Sequence, residues 1–254
     1  MKPLYSAPMP NTPRYAIYYA PAKDSDLDRF GAQLLGYDAF GGDDLPFPED
    51  VTQAAPDWRD LSADPRKYGF HATLKAPFSM APDKTEAELF AACGAFAATP
   101  RAIPVIEPVV GSISGFIAVI PAEPPQELIR LAADCVTEFD SFRAPLTDAG
   151  RARRNLSKLT PTQRKHLDRW GYPYVMDDFR FHMTLTGRLG SERREAVLVM
   201  LKARFAPLDF ATLAIDRIAV FRQGSAASRF RIVGEWELRG ADAGGVTTET
   251  ASTA

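Results

Sequence analysis

Alternation of apolar and polar residues marks two stretches of the chain, residues 68–76 and 179–189, as strands. Because successive side chains of a strand point to opposite faces, each stretch has an apolar face for a core and a polar face. The polar face of the first stretch carries His71, Thr73 and Lys75. The polar face of the second carries Arg180, His182, Thr184, Thr186 and Arg188. Two such polar faces, placed opposite each other, predict a cleft for a phosphate.

The rest of the pattern alternates strands with helices. Further strands are predicted at 14–20, 103–110, 116–120, 212–223 and 229–238. Helices are predicted at 27–35, 84–98, 124–139, 160–170 and 191–205. The order is strand, helix, histidine strand, helix and two strands, followed by a loose repetition of that order. It predicts an α+β fold of two lobes, each an antiparallel sheet with helices on its outer face.

Three segments lack this periodicity. The connection 37–67 is long and rich in Gly, Pro and Asp, which favours either a lid or binding loop, or a surface excursion anchored by Phe47 and Trp58. Its role is not decided by the sequence. Residues 1–13 and 239–254 are predicted to be flexible tails.

Composition excludes several classes of protein. The chain is 46% hydrophobic and 24% charged with a net charge of −2, so phosphate recognition must be local rather than carried by a basic surface. No apolar run approaches the ~18 residues of a membrane span, and the first residues lack the apolar stretch of a signal peptide. Cys93 and Cys135 lack metal-ligand spacing and favour reduced, buried thiols over a disulfide. We therefore expect a cytoplasmic protein without a membrane partner.

The two histidines stand 111 residues apart in one frame, FHATL and FHMTL. Imidazole, with an ordinary pKa of about 6.5, takes or gives a proton near neutral pH. Two imidazoles on opposite sides of one phosphate can therefore act as base and acid. The frame predicts His71 and His182 as the catalytic pair, with Thr73 and Thr184 donating hydrogen bonds to the phosphate.

The remaining charged residues leave alternatives open. The possible charge-neutralising residues, which are equally consistent with solvated strand ends, are Lys75, Arg180 and Arg188. The arginines at 151, 153 and 154 fit either a solvated helical face or a patch that contacts an anionic ligand. The third histidine, His166, is expected to be exposed or packed rather than catalytic. Because the histidines lack zinc-ligand spacing and no acidic cluster adjoins them, we predict neither a metal nor a cofactor.

The paired His-x-Thr-Leu segments resemble the twin signature of the two-histidine (2H) phosphoesterase superfamily. Residues 14–21, 68–78 and 179–189 look like its bacterial branch associated with phosphonate-utilisation genes. The resemblance implies one bilobal domain over residues 14–238, with intertwined lobes related by a pseudo-two-fold and a central cleft. It also implies metal-free cleavage or ring-opening of phosphodiesters, often cyclic phosphates on ribose. His71 and His182 carry over as acid and base, and Thr73 and Thr184 as phosphate holders; Lys75 is not part of the signature.

The leading hypothesis is hydrolysis of a small phosphorylated substrate, a ribosyl or nucleoside cyclic phosphate, possibly in phosphonate metabolism. An alternative with the same chemistry is RNA 2′,3′-cyclic phosphate end processing, which needs a basic track. The candidates for that track are Arg151, Arg153, Arg154, Lys158, Arg164 and Lys165. A third hypothesis is a non-catalytic protein that binds a nucleotide or phosphorylated metabolite. The sequence decides neither which histidine is the acid nor the oligomeric state.

Overall fold

The computed structural model describes residues 12–147, 150–151, 154 and 156–241. The strands are β1 (Arg14–Tyr19), β2 (Ala72–Ser79), β3 (Val105–Ile106), β4 (Pro108–Ile113), β5 (Phe116–Pro121), β6 (Met183–Thr184), β7 (Leu213–Ala214), β8 (Arg217–Gln223) and β9 (Phe230–Glu237). The helices are α1 (Asp26–Leu35), α2 (Glu49–Ala54), α3 (Trp58–Leu61), α4 (Ala63–Arg66), α5 (Glu86–Ala98), α6 (Gln126–Glu138), α7 (Pro161–Trp170) and α8 (Ser191–Phe205). Short 3-10 turns occupy Phe139–Phe142, Leu156–Lys158, Met176–Asp178 and Ala206–Leu208.

The predicted α+β class is confirmed, with two antiparallel sheets of unequal size. The larger sheet has the strand order β4-β5-β6-β2-β1-β8-β9, and β3 and β7 form the smaller one. The prediction gave each lobe its own histidine strand and sheet, whereas the structure places β2 and β6 side by side in the larger sheet through Ala72 and Met183. This pairing satisfies backbone groups that would otherwise be left at two open sheet edges.

The second histidine strand is shorter than its alternation indicated. Beyond Thr184 the ladder becomes irregular, because the backbone amides of Leu185 and Thr186 both donate to the Ile117 carbonyl. The Thr186 hydroxyl accepts from the Ile117 amide at 3.0 Å and is fully buried. The prediction that Thr186 belongs to the polar face is therefore wrong, because its hydroxyl closes the end of the ladder.

Local capping explains where several helices begin and end. The Ser25 side chain accepts from the Asp28 amide at the start of α1, and Gly36 ends that helix in the left-handed region at φ 63°. Reciprocal side-chain and backbone hydrogen bonds cap two other helices. These capping pairs are Thr85 with Glu88 at α5, and Thr160 with Gln163 at α7.

The larger sheet packs apolar side chains on both faces. On one face, Ile17, Ala72 and Met183 belong to the main core, which the buried sides of α1, α5, α6 and α8 complete. On the other face, Tyr18 lies in a second buried cluster with side chains of β8 and β9 and with Tyr37 and Ala39 of the chain that follows α1. The register of β2 with β6 places His71 and His182 on this second face.

The connection 37–67 is packed onto the domain rather than looping freely. Trp58 is fully buried, and its indole Nε1 donates to the Leu34 carbonyl at 2.7 Å. Phe47 is partly buried, with the Arg66 guanidinium 4.9 Å from its ring centre. Of the two interpretations, the anchored excursion agrees with the structure.

The tails predicted at 1–13 and 239–254 lie mostly outside the described residues. The C-terminal tail was placed too early, because residues 239–241 are hydrogen-bonded to the rest of the chain. Arg239 donates from its backbone amide to Ala97, and the amides of Arg101 and Ala241 complete a short bridge. Among the described residues, none of the helices has both the length and the apolar character to cross a bilayer. Cys93 and Cys135 are free and buried.

Candidate active site

His71 is held at the start of β2 by the residue two positions before it. Its Nδ1 lies 2.9 Å from the Gly69 carbonyl oxygen. Because a carbonyl only accepts hydrogen bonds, Nδ1 carries the proton, and in the neutral ring Nε2 is the free base. Gly69 is at φ 77°, and a Cβ there would lie 2.7 Å from the Ala39 side chain. Only glycine fits both the backbone conformation and the close contact.

His182 is held in the same way just before β6. Its Nδ1 lies 2.7 Å from the carbonyl oxygen of Arg180, again two residues earlier. The second imidazole is therefore fixed in the same tautomer, with Nε2 available for proton transfer. Both rings are half-buried.

The register of β2 against β6 brings the two motifs together. Ala72 pairs with Met183, and both side chains point into the main core. Their neighbours along each strand therefore point to the opposite face. Extending the register by one residue each way sets His71 across from Thr184 and Thr73 across from His182, at the ~5 Å Cβ separation of paired residues. The two histidines are then related by a local two-fold axis through the Ala72–Met183 pair.

Burial controls the charge of both imidazoles. It lowers the pKa of His71 from 6.5 to about 4, the Gly69 hydrogen bond opposes this, and the His182 charge lowers it further. Burial also lowers the pKa of His182, with the Arg180 carbonyl opposing. The influence of His182 on His71 agrees with the proximity that the register implies. Without a ligand, both rings are predominantly neutral at pH 7.

Aromatic side chains that sequence reasoning missed support both imidazoles. The Tyr18 ring stacks on His71, with ring centres 3.8 Å apart and planes 20° apart. Phe116 lies beside His182 at 5.4 Å. The alternation of the first strand placed Tyr18 on one of two faces, but no signal in the sequence showed which strand would lie beside β2.

The two threonines occupy comparable positions. Thr73 Oγ1 lies 3.4 Å from His71 Nε2, so its hydroxyl adjoins the atom expected to move a proton. Thr184 is half-buried and pairs through its backbone with Ala118 of β5. Their roles as phosphate ligands stay a prediction.

Lys75 does not lie where alternation placed it. Its ammonium is buried, donates to the Val136 carbonyl at 2.9 Å, and lies 3.3 Å from a carboxylate oxygen of Asp140. The cause is a register shift in which Tyr18 faces Thr73 but Ile17 faces Lys75. One residue of β2 is thus left unpaired, as in a β-bulge, and Lys75 turns to the face opposite Thr73. Its predicted contact with substrate charge is withdrawn.

The two arginine candidates differ in their surroundings. Arg180 is exposed, and its guanidinium donates to the carbonyls of Asp177 and Phe179 at 3.0 and 2.7 Å. Its backbone carbonyl, rather than its charge, contacts His182. Arg188 is also exposed. Their role toward substrate charge stays a prediction.

The third histidine and the arginine-rich segment have different surroundings in the structure. His166 packs on α7, with Nδ1 3.5 Å from an Asp178 carboxylate oxygen, in agreement with a packing role. In the arginine-rich segment, Arg151 forms an ion pair with Asp168. Arg153 lies outside the described residues, and the Arg154 guanidinium lies over the Tyr172 ring.

Among the residues that the structure describes, no three or more His, Cys, Asp or Glu side chains cluster as metal ligands would. A site without metal or cofactor stays a prediction.

Comparison with known families identifies the chain. The family described as "Protein of unknown function (DUF1045)" matches residues 73–231, which is more than half of the sequence. The chain therefore belongs to this family. The match begins at Thr73 and includes the whole second histidine motif.

Two curated relatives carry the name ribose 1,5-bisphosphate phosphokinase PhnN. The protein of Janthinobacterium sp. (strain Marseille) is 38% identical over 220 residues, covering 83% of this chain and 47% of that protein. The protein of Laribacter hongkongensis (strain HLHK9) is 29% identical over 220 residues, covering 86% of this chain and 50% of that protein. The chain thus spans about half the length of the curated relatives it matches.

Solved structures of E. coli LigT are also similar over most of the chain. The complex with 3′-AMP has a TM-score of 0.38 at 13% identity, covering 90% of this chain and 99% of that chain. The complex with NADP+ has a TM-score of 0.37 at 14% identity with the same coverage. These superpositions are too loose to support any conclusion about this chain.

Proposed function

We propose that this member of the DUF1045 family is a phosphodiesterase that hydrolyses a small cyclic phosphodiester on a ribose. His71 and His182 serve as its base and acid, and Thr73 and Thr184 hold the phosphate. The chemistry needs neither a metal nor a cofactor. The resemblance of the two motifs to those of 2H phosphoesterases supports the same reaction class.

One observation carries the proposal: two imidazoles with the same tautomer stand on neighbouring strands. Each Nδ1 is occupied by a carbonyl two residues earlier, at 2.9 Å for His71 and 2.7 Å for His182. Each Nε2 is therefore the atom left to exchange a proton, and the register of β2 with β6 directs both to one face. A pair of histidines buried only for packing would not require matching tautomers on matching positions.

The reaction balances with one neutral and one protonated histidine. The neutral Nε2 takes a proton from water while the water oxygen bonds to phosphorus. The bond from phosphorus to the ribose oxygen breaks, and the protonated Nε2 of the other histidine gives its proton to that oxygen. The product is a phosphomonoester beside a free hydroxyl. Hydroxyl donors at 73 and 184 stabilise the charge on the non-bridging oxygens.

Of the two imidazoles, His71 is held more strongly in its neutral form. Burial and the charge of His182 favour its neutral form, and its pKa falls to about 4. The pKa of His182 is also lowered by burial, without the further influence of a neighbouring histidine. We therefore assign proton abstraction from water to His71 and protonation of the ribose oxygen to His182.

A ribose phosphate substrate is supported by the relatives. Their printed name refers to a ribose bisphosphate, and this chain corresponds to about half of each relative. The phosphokinase activity itself is not proposed for this chain, because its sequence has no G-x-x-x-x-G-K-[S/T] phosphate loop. A phosphoesterase that works next to a ribose phosphate kinase would share its class of metabolite.

RNA end processing is less favoured than the small-molecule reaction. The predicted basic track is interrupted, since Arg151 is paired with Asp168 and the Arg164 guanidinium donates to the Leu159 carbonyl. A polynucleotide groove needs cations that remain available to successive phosphates.

The proposal is tested by assaying a panel of cyclic phosphates, including adenosine 2′,3′-cyclic phosphate, in the presence of EDTA. We expect His71→Ala and His182→Ala each to lower kcat by about 10²–10⁴-fold, because each removes one proton-transfer group. His166→Ala, the matched control, changes the same residue type on α7 and should leave kcat unaltered. Full activity in either of the first two variants contradicts the mechanism, and binding without turnover by the parent protein favours the non-catalytic hypothesis.

A further inference from the structure

A bound phosphodiester brings negative charge, yet the cations predicted for it are largely engaged elsewhere. Lys75 is paired with Asp140 on the opposite face of the sheet. Arg180 donates to two backbone carbonyls. Neutralising the substrate therefore calls for a cation from outside the two histidine strands.

A wall of tyrosines extends from His71. Tyr18 stacks on the imidazole, and the Tyr68 ring centre lies 6.1 Å from it. Burial raises the pKa of Tyr18 well above its ordinary value, and the nearby phenols of Tyr68 and Tyr172 raise it further. The charges of these three phenols therefore influence one another, and the rings of Tyr18 and Tyr68 both lie beside His71. Tyr68 and Tyr172 are only half-buried, so part of each ring remains accessible.

Arg154 stands on this wall. Its guanidinium lies 5.1 Å from the centre of the Tyr172 ring, and its charge lowers the pKa that burial of Tyr172 raises. Among the described residues, its side chain contacts no carboxylate, in contrast to Arg143 and Arg151, which pair with Asp140 and Asp168. A half-buried guanidinium on an aromatic face keeps its donors free for an anion from outside.

We propose that Tyr68, Tyr172 and Arg154 form a second subsite beside the catalytic pair, in which Arg154 binds a phosphomonoester carried by the same substrate. This inference rests on the proposed function and specifies its substrate class: a cyclic phosphodiester on a sugar that bears a second phosphate. The tyrosine wall contacts the sugar between the two phosphates. Guanidinium is suited to this role because its planar donors bind phosphate in a bidentate manner.

The subsite predicts a preference that a matched pair of substrates can measure. The parent protein should hydrolyse 5′-phosphoadenosine 2′,3′-cyclic phosphate with a kcat/KM at least 10-fold above that of adenosine 2′,3′-cyclic phosphate. Arg154→Gln should lower kcat/KM by about 10–100-fold for the doubly phosphorylated substrate and by less than 3-fold for the other. The loss should appear mainly in KM, because the distal contact is made equally in the ground state and the transition state.

Two further variants separate a binding role from a structural one. Arg154→Lys keeps the charge and should recover part of the preference. Tyr172→Leu removes the ring under the guanidinium and should show the same selective loss as Arg154→Gln. The control is Arg130→Gln, which removes an equal charge from the exposed side of α6. It should leave kcat/KM unchanged for both substrates.

Binding measured by calorimetry gives a result that does not depend on turnover. Adenosine 2′,5′-bisphosphate should bind the parent protein more tightly than adenosine 2′-monophosphate, and Arg154→Gln should abolish that difference. If the parent hydrolyses neither substrate but the binding difference is present, the proposed function fails and the subsite stands. If Arg154→Gln affects both ligands equally, or affects neither, the subsite is refuted whatever the outcome for the histidines.

Discussion

Each imidazole of the candidate site depends on one carbonyl oxygen, which belongs to the residue two positions earlier. This bond fixes the tautomer and limits rotation of the ring, as the aspartate of a Ser-His-Asp triad does, but without adding a charge. Because the carbonyl is neutral, it does little to oppose the effect of burial on the imidazole. The pKa of His71 can therefore fall to about 4, which a neighbouring carboxylate would prevent.

The depressed pKa of His71 predicts how stability changes with pH. The unfolded chain protonates this histidine below about 6.5, whereas the folded protein does so only below about 4. Between these values the unfolded state binds more protons, so stability falls as the pH is lowered. We expect the parent protein to lose up to about 3 kcal/mol relative to His71→Gln between pH 7 and pH 4.

Urea denaturation of both proteins across this pH range provides the measurement. Comparing the two removes the contribution of the carboxylates, which are the same in both. A difference in the free energy of unfolding that stays constant from pH 7 to pH 4 would show that burial does not disfavour the charged form of His71.

At the residue scale, the sequence showed the matching positions of the two histidines but not the side chains and carbonyls that support them. The duplicated frame placed His71 and His182 on matching positions because a short motif carries its own periodicity. Gly69 directly precedes the FHATL frame, but its role depends on contact with Ala39, thirty residues earlier in the chain. Tyr18 required knowledge of which strands are neighbours. Long-range contacts of this kind leave no local pattern.

Among the elements, β2 changes face along its own length. Register shifts against β1 occur on both sides of Ile17. Before the shift, Thr73 lies on the face of the candidate site; after it, Lys75 lies on the face of the main core and reaches Asp140 beyond α6. The same strand thus carries the site at one end and a buried ion pair with the helical layer at the other.

This arrangement predicts that Lys75→Met affects stability and spares catalysis. The substitution leaves the Val136 carbonyl without its donor and removes one cation from Asp140, which keeps Arg143 at 2.9 Å. We expect a loss of about 1–3 kcal/mol in the free energy of unfolding and a kcat/KM within about 3-fold of the parent value. Chemical denaturation and steady-state assays measure the two quantities.

Loss of activity with unchanged stability would restore the original interpretation of Lys75 as a ligand of substrate charge. Lys75→Arg is a useful companion, since it keeps the charge but does not fit the same buried space.

Element boundaries were predictable where a local signal exists. The capping pairs at α5 and α7 and the glycine that ends α1 are sequence-local, and these helices lie close to their predicted positions. The bulge in β2 and the two-residue length of β6 were not predictable from alternation. Both arise from pairing with a neighbouring strand, which a single-sequence pattern does not contain.

In the molecule as a whole, the two candidate histidines lie on either side of the junction between two groups of strands. His71 belongs to the side formed by β2, β1, β8 and β9, and His182 to the side formed by β4, β5 and β6. Each side combines strands that are distant in sequence. The topology could not be predicted, because sequence order alone did not indicate that β8 would pair with β1 or β5 with β6.

The dependence of kcat/KM on pH tests whether His71 and His182, on the two groups of strands, act together. In the proposed mechanism the free enzyme is competent when His71 is neutral and His182 is protonated, and burial lowers the pKa of both. We therefore expect kcat/KM to be highest between about pH 4 and pH 6.5 and to fall about tenfold per pH unit on the alkaline side. Bound substrate, being anionic, raises both pKa values, so the kcat profile should lie at higher pH than the kcat/KM profile.

His182→Ala supplies the control, since the residual activity should no longer decline on the alkaline side of the optimum. An optimum of kcat/KM above pH 8 in the parent protein would contradict the assignment of His182 as the acid.

The single backbone pair between Ala72 and Met183 has a mechanical consequence. Rotation of one group of strands against the other about this point would alter the gap between the two Nε2 atoms while leaving each ring's carbonyl tether intact. We therefore expect the volume of the Met183 side chain, which is buried beneath that pair, to set the distance between the two Nε2 atoms. A substitution at Met183 should therefore change the size of substrate that the site accepts, while both histidines and both threonines are left unaltered.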